Sequence, residues 1–224
     1  MTEMKIIARI RTELPEKFGV PRQSGLVPQL RGRVIFEPEY RNPDAVRGLE
    51  DFSHIWLIWQ FSRAVREGWS PTVRPPRLGG NRRMGVFATR SPFRPNALGL
   101  SSVRLDRMEL DPALGPVLHV SGADLMDGTP IFDIKPYLPY TDSHPQAAGG
   151  FTDGLAHAPL TVECSPALLE HIPADSREGL LGVLAGDPRP RYQEDPQRIY
   201  GLSFAGHNVK FTVDGDRLTV IAVE

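Results

Sequence analysis

FSHIWLIWQF, residues 52–61, is the stretch that decides the fold. Apolar and aromatic side chains occur at both alternating sets of positions, which favours a β-strand buried on both sides. We interpret His54, inside this stretch, as a hydrogen-bonded core residue. Outward from it, short alternating segments bounded by Gly, Pro, Asn and Asp predict further strands. These lie at residues 5–12, 84–89, 98–108, 117–122 and 130–135.

The predicted strands follow one another with almost no amphipathic helix between them. A parallel sheet needs a crossover connection, usually a helix, between successive strands. The pattern therefore favours an antiparallel barrel or sandwich over a doubly wound Rossmann sheet. Residues 15–33, rich in Pro, Gly and Gln, predict a long loop.

The pattern changes after residues 142–159, which are rich in Pro, Gly, Ala and Ser and predict a linker. Residues 165–172 and 176–185 have helical apolar spacing, with Ser at both N-cap positions. Alternation returns at 199–204, 209–213 and 217–223. We therefore expect a mostly β, barrel-like domain at residues 1–145 and a small α+β domain at residues 146–224.

The composition is that of an ordinary soluble globular protein, with 40% hydrophobic and 24% charged residues among 224. No apolar run approaches the roughly 20 residues that cross a bilayer, and the first ten residues lack a secretory pattern. Cys164 is the only cysteine, which excludes an intrachain disulfide and a cysteine-rich zinc site. The six histidines show no metal-ligand spacing. We expect a cytoplasmic protein without a metal or a membrane partner.

Positive charge is concentrated in the middle of a chain whose net charge is −1. No acidic residue lies between Glu67 and Asp106. Clustered arginines suit phosphate or carboxylate ligands. Alternatively, they are surface arginines paired with acidic residues of other segments. The arginines in the gap are Arg74, Arg77, Arg82, Arg83, Arg90, Arg94 and Arg104.

Two dense runs of polar residues are candidates for a site. In the first, Pro92 and Pro95 restrict the chain around Arg90, Arg94 and Asn96, which predicts a rigid functional loop.

The second run covers residues 123–142. Asp127-Gly128 predicts a tight turn in which the Asp side chain bonds its own backbone. Asp133 and Lys135 alternate with apolar residues, so they share one face of a strand. That face is either solvated or functional, and the pattern leaves both possibilities open.

At these two runs the sequence resembles the TsaA-like family, specifically the bacterial TrmO-type tRNA (adenine-N6)-methyltransferases. Five motifs in the same order carry the resemblance over nearly all of the N-terminal part. It continues more weakly at residues 187–192 and 204–213. The five matching segments are residues 17–26, 45–56, 71–81, 84–96 and 127–139.

The resemblance implies a β-barrel domain, a homodimer, and S-adenosylmethionine bound by loops near the subunit interface. It implies methylation of the exocyclic N6 of threonylcarbamoyl-adenosine, beside the anticodon of a threonine tRNA. Carried over by motif, the cofactor-contacting positions are Ser24, Gly25, Leu26, Ser62, Arg63, Arg90, Leu100, Asp127, Gly128, Thr129 and Pro130.

The acceptor nitrogen is conjugated with the purine ring and with the carbamoyl group, so a general base is chemically reasonable. We expect Asp133 or Tyr140 in that role, with Arg94 and Asn96 orienting the modified base. Arg90 is a candidate for the methionine carboxylate. The arginines expected to meet tRNA phosphates are Arg74, Arg77, Arg82 and Arg83.

Three alternatives stay open. A non-catalytic S-adenosylmethionine sensor would not need the acid-free segment, the arginine-containing stretch between Glu67 and Asp106. A small-molecule methyltransferase would have little use for a second domain with a basic motif at Arg189, Arg191 and Arg198. A plain RNA-binding barrel usually displays exposed aromatic platforms, whereas the aromatic residues here cluster in the predicted buried strand.

Overall fold

The segment at residues 52–61 forms β3 (His54–Gln60) in the wall of an antiparallel barrel. The fold was obtained as a computed structural model that describes residues 3–65, 68–75, 82–154, 158–189 and 195–224. Around the barrel, six strands follow in the order β1 (Ala8–Thr12), β2 (Arg31–Phe36), β7 (Gly115–Ser121), β6 (Leu98–Asp111), β3 and β8 (Pro130–Pro136), and β8 pairs with β1. The expected mostly β, barrel-like fold is confirmed.

Alternation along β3 decides which side chains fill the barrel. Ile55, Leu57 and Trp59 point inward and are buried, whereas Trp56 is half-buried on the outer face. The expectation of burial on both sides was therefore wrong, because a barrel wall has only one interior face. His54 was also misplaced: it is exposed, and its Nδ1 lies 2.9 Å from the Ser53 hydroxyl.

Two other strand predictions need correction. β2 begins at Arg31, inside the predicted loop, and buries Gly32, Val34 and Phe36 while its arginines face outward. Residues 84–89 form only the two-residue strand β5 (Met84–Gly85) followed by a 3-10 helix, Val86–Ala88. β5 pairs with β4 (Thr72–Val73), and the two make a small ribbon outside the barrel.

The C-terminal part is a four-stranded sheet with short helices, as expected. Its strands lie in the order β10 (Tyr200–Phe204), β11 (His207–Asp214), β12 (Arg217–Val223) and β9 (Thr161–Glu163). A two-residue turn joins β11 to β12, with Gly215 at φ 56°. β9, which pairs in parallel with β12, was missed because three residues carry too little alternation to detect.

Three α-helices lie among the described residues: α1 (Pro139–Asp142), α2 (Pro166–Leu169) and α3 (Arg177–Ala185). The Ser165 hydroxyl caps α2 by accepting from the Leu168 N–H. The Ser176 hydroxyl instead donates to the Glu13 carboxylate. Within the described residues, no helix is long and apolar enough to cross a membrane.

Two hydrophobic cores organise the chain. The barrel core contains Ile55, Leu57 and Trp59. The C-terminal core is built from α3 and the four-stranded sheet, but it also includes Leu14, Val27 and Leu30. These three residues belong to the β1–β2 loop (residues 13–30), which leaves the barrel wall and returns to it. The loop therefore lies between the barrel and the C-terminal core.

Candidate functional site

Ser24, Gly25 and Leu26 lie at the part of the β1–β2 loop that contacts the end of β7. The Gly25 N–H donates to the Gly122 carbonyl over 2.8 Å, and Gly25 has a φ of 78°, a conformation that favours glycine. No atom lies within 4 Å of where a Gly25 Cβ would stand. The Leu26 side chain is 57% exposed. This part of the loop therefore offers an open backbone beside an apolar side chain.

A largely buried carboxylate, Asp124, ties this loop to the barrel interior. Its Oδ1 accepts from the Ser101 hydroxyl over 2.5 Å, and the Ser101 oxygen accepts from Trp59 Nε1 over 2.9 Å. Burial raises the pKa of Asp124, while the Ser101 hydrogen bond, the Arg90 cation and the Ser24 backbone N–H act in the opposite direction. Two expected cofactor residues, Ser24 and Arg90, thus meet at one carboxylate.

Arg90 reaches the β1–β2 loop from the segment that follows the ribbon. It is exposed, and its guanidinium donates to the side-chain oxygen of Gln23. The Gln23 amide carries no charge, and Asp124 is a carboxylate whose pKa this guanidinium acts to lower. The exposed part of Arg90 is therefore suited to a ligand carboxylate.

The turn at residues 126–129 precedes β8 and uses its polar groups within the chain. The Thr129 N–H and hydroxyl both donate to the Met126 carbonyl, over 3.2 and 2.7 Å, and Gly128 has a φ of 75°. Thr129 and Pro130 are buried. Of the expected cofactor residues, these two contribute the shape of the turn rather than free hydrogen-bond donors.

Asp127 has a different role from the one predicted. Its Oδ1 accepts from the Thr12 N–H over 3.1 Å, and its Oδ2 pairs with Arg11 over 3.2 Å. The prediction that it bonds its own backbone is wrong, because the carboxylate caps the end of β1 instead. It thereby fixes the turn against the strand from which the β1–β2 loop departs.

A groove of about 840 Å³ opens where β3 ends and β6 begins. Arg94 is held in it by a backbone hydrogen bond to the Pro92 carbonyl, 3.0 Å, and by its Nη1, which donates to the Thr89 carbonyl over 3.2 Å. A cation, two amides and aromatic rings suit a planar ligand with hydrogen-bonding edges. The lining side chains include Gln60, Trp69, Phe93, Arg94, Asn96 and Phe132.

Asp133 lies on the outer face of the barrel, beside the groove and two positions along the sheet from Gln60. It stands opposite Ile58, and Ile58 stands opposite Leu100, so the three side chains share this face. Gln60 is two residues further along β3, about 7 Å away. Asp133 pairs with Lys135 Nζ over 3.0 Å, and its side chain is 47% exposed. The carboxylate is thus accessible and adjacent to a cation.

Ser62 and Arg63 follow β3 and are exposed. The Ser62 N–H donates to the Gln60 carbonyl over 2.8 Å, and Ala64 lines the groove. These two expected cofactor residues therefore border the groove.

Tyr140 stands at the opposite end of the barrel wall. The Tyr137 N–H donates to the His54 carbonyl at the start of β3, and Tyr140 follows in α1 with 86% of its side chain exposed. Between His54 and Gln60, β3 extends about 20 Å. Within one chain the structure does not bring Tyr140 together with Arg94 at the groove.

The ribbon of β4 and β5 carries the arginines expected to meet RNA. Arg74, Arg82 and Arg83 are exposed, and none forms an ion pair within the part of the chain that the structure describes. Arg104 differs because it pairs with Asp106 over 3.2 Å. Its partner lies two residues along the same strand, β6, so this pair is local and is not the expected pairing with an acid of another segment. Arg77 lies outside the described residues.

An exposed pair of aromatic rings lies beside the ribbon. Trp69 and Phe87 are 54% and 70% exposed, and their ring centroids are 6.0 Å apart. The expectation that the aromatic residues cluster in the buried strand therefore missed a surface to which a base can bind.

The three arginines of the C-terminal basic motif differ in how the structure uses them. Arg189 is only 11% exposed and forms a two-armed pair with Asp187, with Nε–Oδ1 and Nη2–Oδ2 distances of 2.9 and 3.0 Å. The Asp187 carboxylate raises the pKa of Arg189. Arg189 is committed to this structural pair, while the guanidinium of Arg198 lies over the Tyr200 ring, 5.4 Å from its centroid. Arg191 lies outside the described residues.

Sequence reasoning missed Asp124, Gln60 and Trp69. Asp124 stands in the run at residues 123–142, but its burial depends on Ser101 of a different strand, which no local pattern reveals. Gln60 is a polar residue near the end of an otherwise apolar stretch. That change of polarity could have indicated a functional side chain at the end of the strand. Among the described residues, no group of three His, Cys, Asp or Glu side chains is placed to hold a metal ion.

Comparison with known proteins agrees with this architecture. Residues 9–143 match the model of the tRNA-methyltransferase O N-terminal domain, and residues 157–224 match that of the TrmO C-terminal domain.

Individual relatives cover most or all of the chain. The "tRNA (adenine(37)-N6)-methyltransferase" of Escherichia coli (strain K12) is 42% identical over 226 residues, which cover 97% of this chain and 96% of the relative. The protein of the same name from Eikenella corrodens is 47% identical over 173 residues, 77% of this chain and 97% of the relative. The crystal structure of TrmO from Pseudomonas aeruginosa has a TM-score of 0.80 at 34% identity, covering 100% of this chain and 99% of that one.

The fold, the site and these relatives define a class of protein: an S-adenosylmethionine-dependent methyltransferase built on a β-barrel. The chain belongs to the tRNA-methyltransferase O (TrmO) family, as the motif resemblance indicated.

The residues at the end of β7 fit this cofactor. Exposed Leu26 and the open face of Gly25 provide an apolar edge and backbone room for an adenosyl group. Arg90 is an exposed cation of the kind that suits a ligand carboxylate. Leu100 adds a second exposed apolar side chain, with 54% of its surface accessible.

Proposed function

We propose that this protein methylates the exocyclic N6 of threonylcarbamoyl-adenosine at position 37, beside the anticodon of a threonine tRNA. The relatives' names support adenine 37 of tRNA as the target. The observation that supports the modified base is the groove, where one cation, two side-chain amides and aromatic rings converge.

The proposed acceptor makes chemical demands that this lining meets. Its threonyl carboxylate requires a cation, and Arg94 lines the groove with a side chain positioned by the Thr89 carbonyl. Its carbamoyl group has donors and acceptors that complement the Gln60 and Asn96 amides. The purine ring suits the exposed face of Trp69. An unmodified adenine would leave the cation without a partner.

S-adenosylmethionine, when bound, supplies an electrophilic methyl group on a sulfonium. We propose that Ser24, Gly25, Leu26 and Arg90 hold it at the end of β7. The turn from Asp127 to Pro130 would support that loop by shape, while Ser62, Arg63 and Leu100 would border the cofactor on the groove side. Holding the acceptor in line with the methyl group provides most of what such a displacement requires.

Removal of the N6 proton is the step for which the chain must supply a group. Asp133 is the stronger candidate within one chain, because it lies one row from Gln60 on the same barrel face. Its side chain is 47% exposed, so the carboxylate is accessible to a substrate. Tyr140 can serve only if it comes from a second copy, since it lies at the far end of β3.

We further propose a homodimer that associates through the outer face of β3, β6 and β8. This face carries half-buried Trp56 and Ile58, together with exposed Leu100 and Tyr140. An apolar face of this kind suits a protein interface. Such a dimer would place Tyr140 of one copy near the groove of the other.

Arg74, Arg82 and Arg83 are proposed to contact tRNA phosphates, with Arg77 assigned to the same surface on the motif alone. We propose a cytoplasmic enzyme, since its substrate is tRNA. We also propose separate domains at residues 1–145 and 146–224, which the two matched ranges, 9–143 and 157–224, support.

The deciding experiment is a methyl-transfer assay with labelled S-adenosylmethionine on two tRNA pools, one from normal cells and one from cells that lack the threonylcarbamoyl group. We expect label in the first pool only. Equal labelling of both pools would overturn the requirement for the modification. No label in either, despite measurable cofactor binding, would favour the sensor alternative.

Arg94→Ala tests the groove itself. Loss of a charge-assisted contact is expected to lower kcat/KM for modified tRNA on the order of tenfold to a hundredfold, with cofactor Kd unchanged. Arg217→Ala is the matched control, because Arg217 is an exposed arginine paired with Glu163 in the C-terminal sheet. Equal losses in both variants would remove Arg94 from the acceptor site.

A further inference from the structure

The β1–β2 loop is held from two sides. On the barrel side, Gly25 bonds the Gly122 carbonyl and the Leu30 carbonyl accepts from the Gly122 N–H, both over 2.8 Å. On the other side, Val27 and Leu30 are only 5% and 3% exposed because they are buried in the C-terminal core. The proposed cofactor contacts, Ser24 to Leu26, include the first anchor, Gly25, and directly precede the second, Val27.

Close packing against α3 is possible because α3 presents two glycines to the loop. A Cβ on Gly182 would stand 2.6 Å from Val27 Cγ1, closer than real side chains approach. A Cβ on Gly179, one turn earlier, would meet Leu30 at 3.4 Å, an ordinary contact. Gly182 is therefore the point at which α3 sets the position of the loop.

Further contacts join the two parts along the rest of the loop. The Ala205 N–H donates to the Glu13 carbonyl over 2.9 Å, and the Ser203 hydroxyl donates to Glu16 over 2.6 Å. A Cβ on Gly19 would overlap Leu202, at 2.2 Å from its Cδ1. The loop thus packs closely against the C-terminal sheet and α3 at several points along its length.

We propose that the C-terminal unit is a brace that positions the cofactor contacts of the barrel, acting through Gly182 of α3 and Val27 of the loop. This inference rests on the proposed cofactor role of Ser24 to Leu26. Val27 immediately follows Leu26, so a displacement of Val27 moves the cofactor contacts directly. The C-terminal unit then contributes to the reaction by positioning the cofactor contacts, in addition to any contact it makes with tRNA.

The test is the Gly182→Ala variant of the full chain, with S-adenosylmethionine Kd measured by calorimetry and kcat measured at saturating cofactor. Alanine favours helix, so α3 itself should not be weakened. The added methyl displaces Val27, and we expect Kd to rise on the order of fivefold while kcat at saturation stays unchanged. Such a split between cofactor Kd and kcat is what a positioning residue produces.

Gly179→Ala is the matched control: the same substitution in the same helix, one turn away, with room for the methyl. It is expected to bind the cofactor like the unaltered chain. Val27→Ala in the Gly182→Ala background removes the colliding methyl groups and should restore Kd to within about twofold. Val27→Ala alone loosens the contact without adding volume and should also raise Kd.

Unchanged Kd in Gly182→Ala and in Val27→Ala would overturn the brace. So would an equal loss in Gly179→Ala, which would indicate a general effect on α3, or a double variant that is not restored. Failure of the unaltered chain to bind S-adenosylmethionine at all would instead overturn the proposed function. The two failures are therefore distinguishable.

Discussion

Asp124 is a carboxylate whose partners come from separate parts of the chain. The Ser101 hydroxyl, which itself accepts from Trp59 Nε1, donates to it from the barrel interior. The Ser24 backbone N–H and the Arg90 cation act on it from two loops. A largely buried carboxylate is unfavourable unless it is hydrogen-bonded, so these partners offset part of its desolvation. One residue thereby couples the barrel interior to the position of the β1–β2 loop, which carries the proposed cofactor contacts.

The raised pKa of Asp124 predicts a pH-dependent stability difference. Its folded-state pKa lies above the unfolded value, so ionising the buried carboxyl destabilises the folded protein. This destabilisation is absent below the unfolded pKa, near 4, and develops as pH rises through the folded pKa. The Asp124→Asn variant cannot ionise there. We expect its Tm relative to the unaltered chain to rise with pH by about 2–4 °C before levelling off, as measured by calorimetry from pH 4 to 8.

Asp142→Asn provides a control of opposite sign. The Leu138 N–H and Trp56 Nε1 lower the pKa of Asp142, so its stabilising contribution is present above the unfolded pKa and is lost as pH falls. The Tm of this variant should therefore fall relative to the unaltered chain as pH rises. Parallel slopes for the two variants would contradict the assignment for Asp124.

Some residue-level features were predictable and others were not. Arg94 and Asn96 were found because two prolines restrict the loop that carries them, a local signal that needs no tertiary information. Asp124 was missed because its burial arises from a strand more than 20 residues away. Asp127 was misread for the same reason: its partners, Arg11 and Thr12, are remote in sequence.

At the scale of elements, long apolar strands were easier to predict than short or polar ones. β3 and β6 have enough alternating residues to stand out, and both were found. β2 was hidden because arginines alternate with a glycine at its start, and β9 because it has only three residues. The barrel was still recognisable, since the absence of crossover helices depends on the whole pattern rather than on any one strand.

The exposed arginines beside the β4–β5 ribbon predict how tRNA affinity depends on salt concentration. Each phosphate contact contributes about 0.9 to the slope of log K against log salt concentration for duplex nucleic acid, and somewhat less for single strands. The Arg82→Gln, Arg83→Gln double variant should weaken tRNA binding and lower the slope by roughly 1.5, while S-adenosylmethionine Kd stays unchanged. Filter binding over a salt series measures this.

Arg104→Gln is the matched control for the ribbon. It removes an exposed arginine of the same acid-free segment, but one already paired with Asp106. We expect little change in the slope. An unchanged slope in the double variant as well would exclude the ribbon from the tRNA interface.

At the scale of the whole molecule, the distance along β3 between Tyr140 and the groove decides how a dimer would work. If Tyr140 acts from the partner, Arg94→Ala and Tyr140→Phe each impair both sites of their own dimer, yet a mixed dimer contains one site with neither change. Random subunit exchange should then restore about a quarter of the unaltered activity. The measurement is turnover after mixing the two purified variants and allowing exchange.

Other outcomes of the mixing experiment are equally informative. No recovery despite demonstrated exchange would place every essential group within one chain and leave Asp133 as the base. Full activity of Tyr140→Phe on its own would remove Tyr140 from the reaction. Asp133→Asn, assayed beside it, should lose turnover with little effect on cofactor Kd if Asp133 is the base.

The position of the β1–β2 loop also has a consequence for synthesis. Leu14, Val27 and Leu30 leave the ribosome early, but the residues they pack against, from Ile172 to Val220, emerge last. Contacts of such long sequence separation form late, because chain entropy must be lost before they stabilise anything. A nascent chain can close its barrel before the C-terminal core, against which this loop also packs, has been synthesised. If the C-terminal unit braces this loop as proposed, full affinity for the methyl donor would be reached only when the last strands are complete.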